Sequence, residues 1–194
     1  MIDISLKECY KTVSVRAESV FIEKKSKFIA TVIPADTEEK ALAFLEEMRK
    51  TYSDDGEPSG TAGMPVLDAI RKSGIVDCAV VVTRYFGGTL LGTGGLVHAY
   101  GKSAKDGLDA AGIIEKRLSS IMSVTCDYTL GGRLSHFFLE NGYIVEDTIY
   151  DNQVTYFIPV MVSLKERFIK DITELSNGKA EIKENGTKYV DIKL

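Results

Sequence analysis

The sequence predicts an α+β fold with two domains, residues 1–116 and 117–194, on two observations. In the first part, segments that alternate apolar and polar residues, as strands do, stand among segments with apolar residues at helical spacing. In the second part, the predicted elements follow in the order strand, helix, strand, strand, helix, strand. That order is the βαββαβ, or ferredoxin-like, arrangement.

Composition indicates a globular chain of ordinary kind. Of its 194 residues, 44% are hydrophobic and 27% are charged, which argues against disorder. No apolar run reaches the roughly 18 to 20 residues of a membrane span, and the N-terminus lacks the features of a signal peptide. We therefore expect a cytoplasmic protein with no membrane association. Cys9, Cys78 and Cys126 are widely spaced, which predicts reduced thiols.

The first domain is predicted to open with two strands, around residues 13–17 and 28–32, joined by a basic turn at Lys24–Lys27. A helix starts near Asp36, and another opens at Pro65. CAVVVTRYFG has the unbroken apolar run of a strand buried on both faces. The helical periodicities predict these inward residues: Ala41, Leu45, Met48 and Tyr52 in the first helix, and Leu96, Tyr100, Ala104, Leu108 and Ala111 in a helix over about 96–111.

The second domain carries two helices with apolar stripes and four strands, among them YIVEDTIY and QVTYFIPVMV. The stripes are Leu130, Leu134, Phe137 and Phe138 in one helix, and Leu164, Phe168, Ile172 and Leu175 in the other. Pro159 falls in a strand that this arrangement makes central, so we expect a bulge there. The ENG tripeptide predicts a hairpin turn before the last strand.

Charge and histidine content restrict the classes of function. A formal charge of -4 argues against a protein that coats nucleic acid nonspecifically, so any phosphate binding must use a local patch. The two histidines, His98 and His136, fall on different predicted helices, which argues against a histidine metal site or a hydrolytic triad. We expect no metal and no cofactor.

A glycine-rich segment, GGTLLGTGGL, leads into the helix that begins near Leu96. Glycines before a helix present backbone N–H groups that suit a phosphate or an RNA backbone, although close packing of helix on sheet is an equal alternative. The candidate phosphate-binding residues are Lys27, Arg84, Gly92, Gly94, Gly95, Lys102 and Lys105. Solvated surface lysines are the alternative for the two helical positions.

The acidic segment SDDGEPSGTAG has three interpretations. Its carboxylates could bind Mg²⁺ or Ca²⁺, but the alternating ligands of a calcium loop are missing. In the favoured, structural interpretation, Gly56, Gly60 and Gly63 take positive φ, and the carboxylates pair with Arg84 or cap the helix at Pro65. Docking of a basic partner is the third. The segment comprises Asp54, Asp55, Gly56, Glu57, Pro58, Ser59, Gly60, Thr61 and Gly63.

Three segments, KKSKFIA, SDDGEPSGTAGMPVLDAI and VVTRYFGGTLLGTGGLVHAYGKSAKDGL, resemble the YigZ/IMPACT family, and the resemblance extends over the whole chain. It implies a first domain like the second domain of ribosomal protein S5 and a second domain similar to domain V of elongation factor G. Both likenesses point to ribosomes or structured RNA, and eukaryotic relatives act in translational control. The resemblance carries over no catalytic residues.

The chain departs from the family pattern at one place. The pattern has a further strand-and-loop segment, with a His-Asn-Cys-like triplet, between the first helix and the acidic segment. Here MRKTY runs directly into SDDGEPSG. The strand order of the first domain is therefore left open.

The leading hypothesis is an RNA-associated or ribosome-associated regulator of translation without chemistry of its own. One alternative is a phosphate-binding or nucleotide-binding enzyme with its site between the acidic segment and GTGG. Another is an adaptor that binds a protein of the translation machinery through the acidic segment.

Overall fold

The computed structural model describes residues 7–51 and 56–193. Within them, strands and helices are interspersed and four pairs of neighbouring strands are antiparallel, so the predicted α+β class is confirmed. The strands are β1 Cys9–Val13, β2 Ala17–Glu23, β3 Ser26–Pro34, β4 Cys78–Tyr85, β5 Ile113–Cys126, β6 Asp147–Tyr150, β7 Val154–Met161 and β8 Glu181–Lys193. The α-helices are α1 Glu38–Thr51, α2 Gly63–Ser73, α3 Gly92–Ala111, α4 Tyr128–Glu140 and α5 Lys165–Ser176.

The chain divides into two compact units. Residues 10–115 and Lys193 belong to the N-terminal unit, and residues 7–9 and 116–192 belong to the C-terminal unit. None of the described helices is long and apolar enough to cross a membrane.

The N-terminal unit is built on a three-stranded sheet of order β2-β3-β4, with α3 against one face. Side chains alternate between the faces of a strand, and Phe28, Ala30 and Val32 of β3 all lie buried towards α3. In α3, the five residues predicted to face inward are buried, which confirms that periodicity: Leu96, Tyr100, Ala104, Leu108 and Ala111. The helix begins at Gly92, four residues earlier than predicted.

β4 was predicted to be buried on both faces, and this prediction was wrong. Its residues are only partly buried, and Tyr85 at its end is exposed. β4 is the last strand of the described sheet, and the face away from α3 is covered only in part. Val20 and Ile22 on that face are 55% and 65% exposed.

The first helix differs from its prediction in cap and inward face. Thr37, not Asp36, caps it, since the Thr37 hydroxyl accepts a hydrogen bond from the Lys40 N–H at 3.3 Å. Phe44 is buried beside the predicted Met48, while Leu45 is 36% exposed. Tyr52 lies outside the described residues.

In the C-terminal unit the elements β5, α4, β6, β7, α5 and β8 follow in the predicted order. β6 pairs with β7, β7 with β5, and β5 with β8. The buried face of β7 packs against Phe138 of α4 and Phe168 of α5, whose rings stack with centroids 6.2 Å apart. Of the predicted stripes, Leu164 is the exception: it precedes α5 and is 41% exposed.

The predicted bulge at Pro159 is absent, because the register of β7 with β5 is unbroken and places Pro159 opposite Ile121. The Phe157 carbonyl accepts a hydrogen bond from the Glu146 N–H at 2.9 Å, so it faces the β6 side of the strand. Residues two apart along a strand face the same side. The nitrogen of Pro159 therefore faces the β6 side of β7. Because β6 pairs with β7 only as far as Phe157, no hydrogen bond between the strands is lost at Pro159.

Two further predictions in this unit were wrong. ENG does not form a hairpin turn: β8 runs through it as one strand, and Gly186 takes a φ of 95° that glycine allows. The strand predicted from YIVEDTIY is formed only by Asp147–Tyr150. Residues 143–146 are irregular, which leaves β7 longer than its neighbour β6.

Candidate anion-binding site

Arg84, near the end of β4, joins the acidic segment to the sheet. Its Nη1 lies 2.5 Å from Oε1 of Glu57, and the Tyr100 hydroxyl donates to the same oxygen at 3.1 Å. Its Nη2 donates to the Ser26 hydroxyl at 3.3 Å. The side chains of Arg84 and Glu57 are 12% and 22% exposed, so this ion pair is shielded from solvent far more than a surface pair.

Two aromatic rings fix the Arg84 guanidinium. Its central carbon lies 5.5 Å from the ring centroid of Phe28 and 5.4 Å from that of Phe86, distances at which a cation attracts the ring face. The Tyr100 ring meets Phe28 edge to face at 5.2 Å. Arg84 was predicted to contact phosphate, but its guanidinium instead binds Glu57 of the acidic segment and packs between two rings.

The structural interpretation of the acidic segment predicted a carboxylate pairing with Arg84, and Glu57 makes that pair. Asp54 and Asp55 lie outside the described residues. Gly56 and Gly60 have φ of 102° and 79°, as predicted, whereas Gly63 does not have positive φ. The prediction that a carboxylate caps the helix at Pro65 was wrong for the described residues, because α2 has no side-chain cap and no acidic residue in its first turn.

The segment closes through a tight turn before α2. The Thr61 N–H and hydroxyl both donate to the Pro58 carbonyl, at 3.1 Å and 2.7 Å, and Thr61 is 5% exposed. Pro58, Ser59 and Gly60 lie exposed at its surface. The described part of the segment is therefore a folded loop with one anchored carboxylate.

The β2–β3 connection is a two-residue turn formed by Lys24 and Lys25, with φ of 43° and 70°. Two consecutive positive φ values are normally left to Asn and Gly. Gly87 packs on this turn so closely that a Cβ there would lie 2.0 Å from the Lys25 carbonyl carbon. The Gly87 N–H also donates to the Ser26 hydroxyl at 3.2 Å. The turn thus holds two exposed lysines in a fixed place.

The glycine-rich segment starts α3. All residues of this helix are described, and its first turn has neither a side-chain cap nor an acidic residue. A Cβ at Gly92 or Gly94 would meet nothing within 4 Å, whereas one at Gly95 would lie 3.1 Å from the Leu91 Cβ. Gly92, Thr93 and Gly94 are exposed, and the first N–H groups of a helix have no partner within it.

The lysines predicted to bind phosphate do not all lie on one surface. Lys27 lies on the sheet face away from α3, because its neighbour Phe28 is buried towards that helix. Lys102 pairs with Asp106 at 2.5 Å and Lys105 with Asp109 at 2.6 Å, one turn apart on α3. The hydrogen bond to Asp109 raises the pKa of Lys105, which stays charged.

Lys102 and Lys105 are also removed from the start of the helix. At a rise of about 1.5 Å per residue, Lys102 lies roughly 12 Å along the axis from Gly94. Their side chains are 44% and 62% exposed. Within the described residues, no group of three or more histidine, cysteine or carboxylate side chains is arranged to hold a metal ion.

Comparison with known families and proteins bears on the whole chain. The Impact N-terminal domain family matches residues 46–108, and a domain of unknown function, DUF1949, matches residues 124–179. The IMPACT family member YvyE of Bacillus subtilis is 35% identical over 203 aligned positions, which cover 94% of each chain. The chain belongs to the IMPACT family. The resemblance seen in the sequence is thereby confirmed.

Further matches to this IMPACT family member include one relative of shorter overlap and one solved structure. The IMPACT family member YigZ of Escherichia coli is 37% identical over 128 positions, covering 54% of this chain and 63% of that protein. A crystal structure described as that of a hypothetical protein is 28% identical with a TM-score of 0.54, covering 91% of this chain and 97% of that one. The likeness in fold thus extends over nearly the whole chain.

Sequence reasoning about this IMPACT family member missed two features of the site. Ser26 and Tyr100 belong to the hydrogen-bond network of Arg84 and Glu57, but serine and an inward-facing tyrosine carry no signal of an ion-pair partner. The left-handed conformations of Lys24 and Lys25 were also missed, because neither residue is a glycine or asparagine. The only cue was a basic turn between two alternating segments.

Proposed function

We propose that this IMPACT family member binds structured RNA, including that of the ribosome, and regulates translation without chemistry of its own. The observation that carries the proposal is the contact of Gly87 with the Lys24–Lys25 turn. Gly92 follows Gly87 by only five positions, so the uncapped start of α3 lies within roughly 17 Å of the glycine that packs against the two lysines. Two cations on a turn whose backbone is held by Gly87, together with a row of backbone donors, suit successive phosphates of a nucleic-acid strand.

Lys102 and Lys105 extend this surface along α3 in the proposal. Their partners are carboxylates one helical turn away, Asp106 half-buried and Asp109 exposed, and ion pairs near the surface are weak and screened by salt. A phosphate can therefore displace the carboxylates. Lys27 lies on the other face of the sheet and would contact a second stretch of RNA. Arg84 does not contact phosphate in the proposal. It supports the surface because it and Gly87 both donate to the Ser26 hydroxyl beside the Lys24–Lys25 turn.

The proposal extends to the two domains. We assign residues 1–116 to a domain like the second domain of ribosomal protein S5, and residues 117–194 to a ferredoxin-like domain similar to domain V of elongation factor G. The element order and strand pairing from β5 to β8 support the second assignment. Both likenesses are to proteins that bind the ribosome, so translation is the process in which to test the proposal.

Co-sedimentation with ribosomes and with a structured RNA, over a series of salt concentrations, tests the proposal. The variant Lys24→Asn/Lys25→Gly removes both charges and supplies the residues that the turn prefers, so lost binding cannot be attributed to unfolding. We expect weaker binding and a salt slope reduced by about 2. The control Lys40→Gln/Lys170→Gln removes two charges elsewhere and should bind as wild type.

The adaptor hypothesis has its own support, since Phe86 and Leu90, on the connection after β4, are 60% and 83% exposed. Exposed apolar side chains favour a protein partner. Wild-type protein that fails to bind RNA and ribosomes at low salt would reject the RNA proposal and favour the adaptor. Unchanged binding by Lys24→Asn/Lys25→Gly would reject the assigned surface.

A further inference from the structure

The C-terminal unit contains a cavity of about 280 Å³, which the proposed function does not use. It lies between the end of β7, the first turns of α5 and the irregular residues after α4. The space exists because β6 pairs with β7 only as far as Phe157, while the backbone at Pro159 continues with no partner from β6. Residues 141–144 pass this gap without forming a strand.

Polar groups of both donor and acceptor type surround the cavity. Arg117 and Arg167 bring guanidinium groups, Asn141 an amide and Asp171 one carboxylate. The Arg167 Nε lies 3.7 Å from the Asp171 carboxylate, and the Arg167 side chain is 76% exposed, at the mouth. The residues that line the cavity thus include two arginines and one carboxylate.

Tyr143 supplies a donor held in a fixed orientation. Its ring meets Phe168 edge to face at 5.0 Å and stacks on Phe137 at 6.1 Å. Burial, and after it the nearby Asp171 carboxylate, raise the pKa of Tyr143. Its hydroxyl therefore keeps its proton at neutral pH and can donate a hydrogen bond.

The remaining walls of the cavity are largely apolar. Ile144, Pro159, Met161 and Leu164 line it beside the two arginines. Small-molecule sites combine an apolar lining with a few converging polar groups, and arginine is the side chain best suited to carboxylate or phosphate oxygens. A volume just below the roughly 300 Å³ at which such sites usually begin restricts the occupant to a small molecule.

We propose that this cavity binds a small organic anion, with its carboxylate or phosphate between Arg117 and Arg167 and its apolar body against Pro159, Met161 and Leu164. The site lies wholly in the C-terminal unit. The proposal of this site is therefore independent of the proposal that the protein binds RNA.

Methyl NMR of the full chain tests the site, because Met161 lines it and Met122 lies in the core of the same unit as an internal control. The protein is labelled at the methionine methyl groups, and the Met161 signal is assigned with Met161→Leu. The probes are phenylacetate, phenyl phosphate and the neutral 2-phenylethanol. We expect a saturable shift of Met161, but not of Met122, with one or both anions, at affinities at least fivefold tighter than for the alcohol.

Arg117→Gln and Arg167→Gln should each weaken binding of the anion at least fivefold, while Arg133→Gln, on the exposed side of α4, should not. Preference for phenylacetate or for phenyl phosphate then identifies the anionic group. The proposal is overturned if Met161 does not respond to either anion at millimolar concentration. It is equally overturned if the alcohol binds as well as the anions, or if both arginine variants bind as wild type.

Discussion

Glu57 and Arg84 form an ion pair of 2.5 Å between a loop and a strand that are 27 residues apart in sequence. The Tyr100 hydroxyl donates to the Glu57 carboxylate, and the Ser26 hydroxyl accepts from Arg84. The acidic segment is thus tied to β4, to α3 and to the start of β3 through two charged groups. The Glu57 carboxylate therefore has a structural role in the fold.

We expect Glu57→Gln to lower the free energy of unfolding by about 1.5 to 3 kcal/mol, the usual cost of losing hydrogen bonds to a charged group. The guanidinium of Arg84 would keep its place between two rings but lose its counter-ion. Urea titration followed by circular dichroism measures the change. Glu46→Gln, at an exposed position of α1, is the control and should be neutral; equal stability of both variants would contradict a structural role for the pair.

The Lys24–Lys25 turn should be a point of backbone strain, since a left-handed conformation costs a residue other than glycine about 1 to 2 kcal/mol. Lys24→Asn/Lys25→Gly should therefore raise the melting temperature. Lys24→Val/Lys25→Val loses the same two charges but disfavours positive φ more strongly, and should lower it. Calorimetry that gave both variants a change of the same sign would attribute the effect to charge instead.

Gly107 marks a close approach of α3 to the sheet. A Cβ there would lie 2.9 Å from the Ala30 Cβ and 2.9 Å from a methyl of Val32. Gly107→Ala should destabilise the protein by about 1 to 3 kcal/mol through overpacking. Gly132→Ala, in α4 with nothing within 4 Å, should stabilise it by up to about 1 kcal/mol. A stabilising Gly107→Ala would mean that α3 can move away from the sheet.

The thiols should differ in reactivity. Burial, and after it the Asp77 carboxylate, raise the pKa of Cys78 to about 11, and burial also raises that of Cys126. Because the thiolate is the reactive form, the thiolate fraction of Cys78 at pH 8 should be about a hundredfold below that of an ordinary cysteine. Ellman's reagent at pH 8 should modify the exposed Cys9 first.

The denatured protein provides the reference for this experiment, since all three thiols should then react alike. Rapid modification of Cys78 in the folded protein would contradict its burial. The rate at Cys78 should rise with pH beyond pH 9, because the raised pKa moves formation of its thiolate upward.

Helical spacing predicted the inward face of α3 correctly, but in α1 it wrongly placed the exposed Leu45 on the inward face. The inward residues of α3 follow from helical spacing alone. The cap at Thr37 and the burial of Phe44 depend on where α1 starts and what it meets, which local preference does not determine. The turn at Lys25 packs against Gly87, a residue distant in sequence.

The same distinction holds at the candidate site. The pairing of Glu57 with Arg84 could be predicted, because a carboxylate in a glycine-rich loop and an arginine at a strand end are complementary in charge. The separation of Lys27 from Lys102 onto opposite faces was missed, since it follows from strand alternation relative to α3. Clustering of basic residues near glycines in sequence did not reveal it.

Pro159 has a consequence for the self-association of this protein. The stretch of β7 beyond β6 is an unpaired edge, which in most sheets would offer alternating donors and acceptors to an incoming strand. At Pro159 the donor is replaced by a ring, so a strand from another molecule would lose a bond and meet a steric obstacle there. The residue that interrupts the ladder thus acts as a gatekeeper against aggregation, and the edge can stay uncovered while the cavity beside it remains accessible.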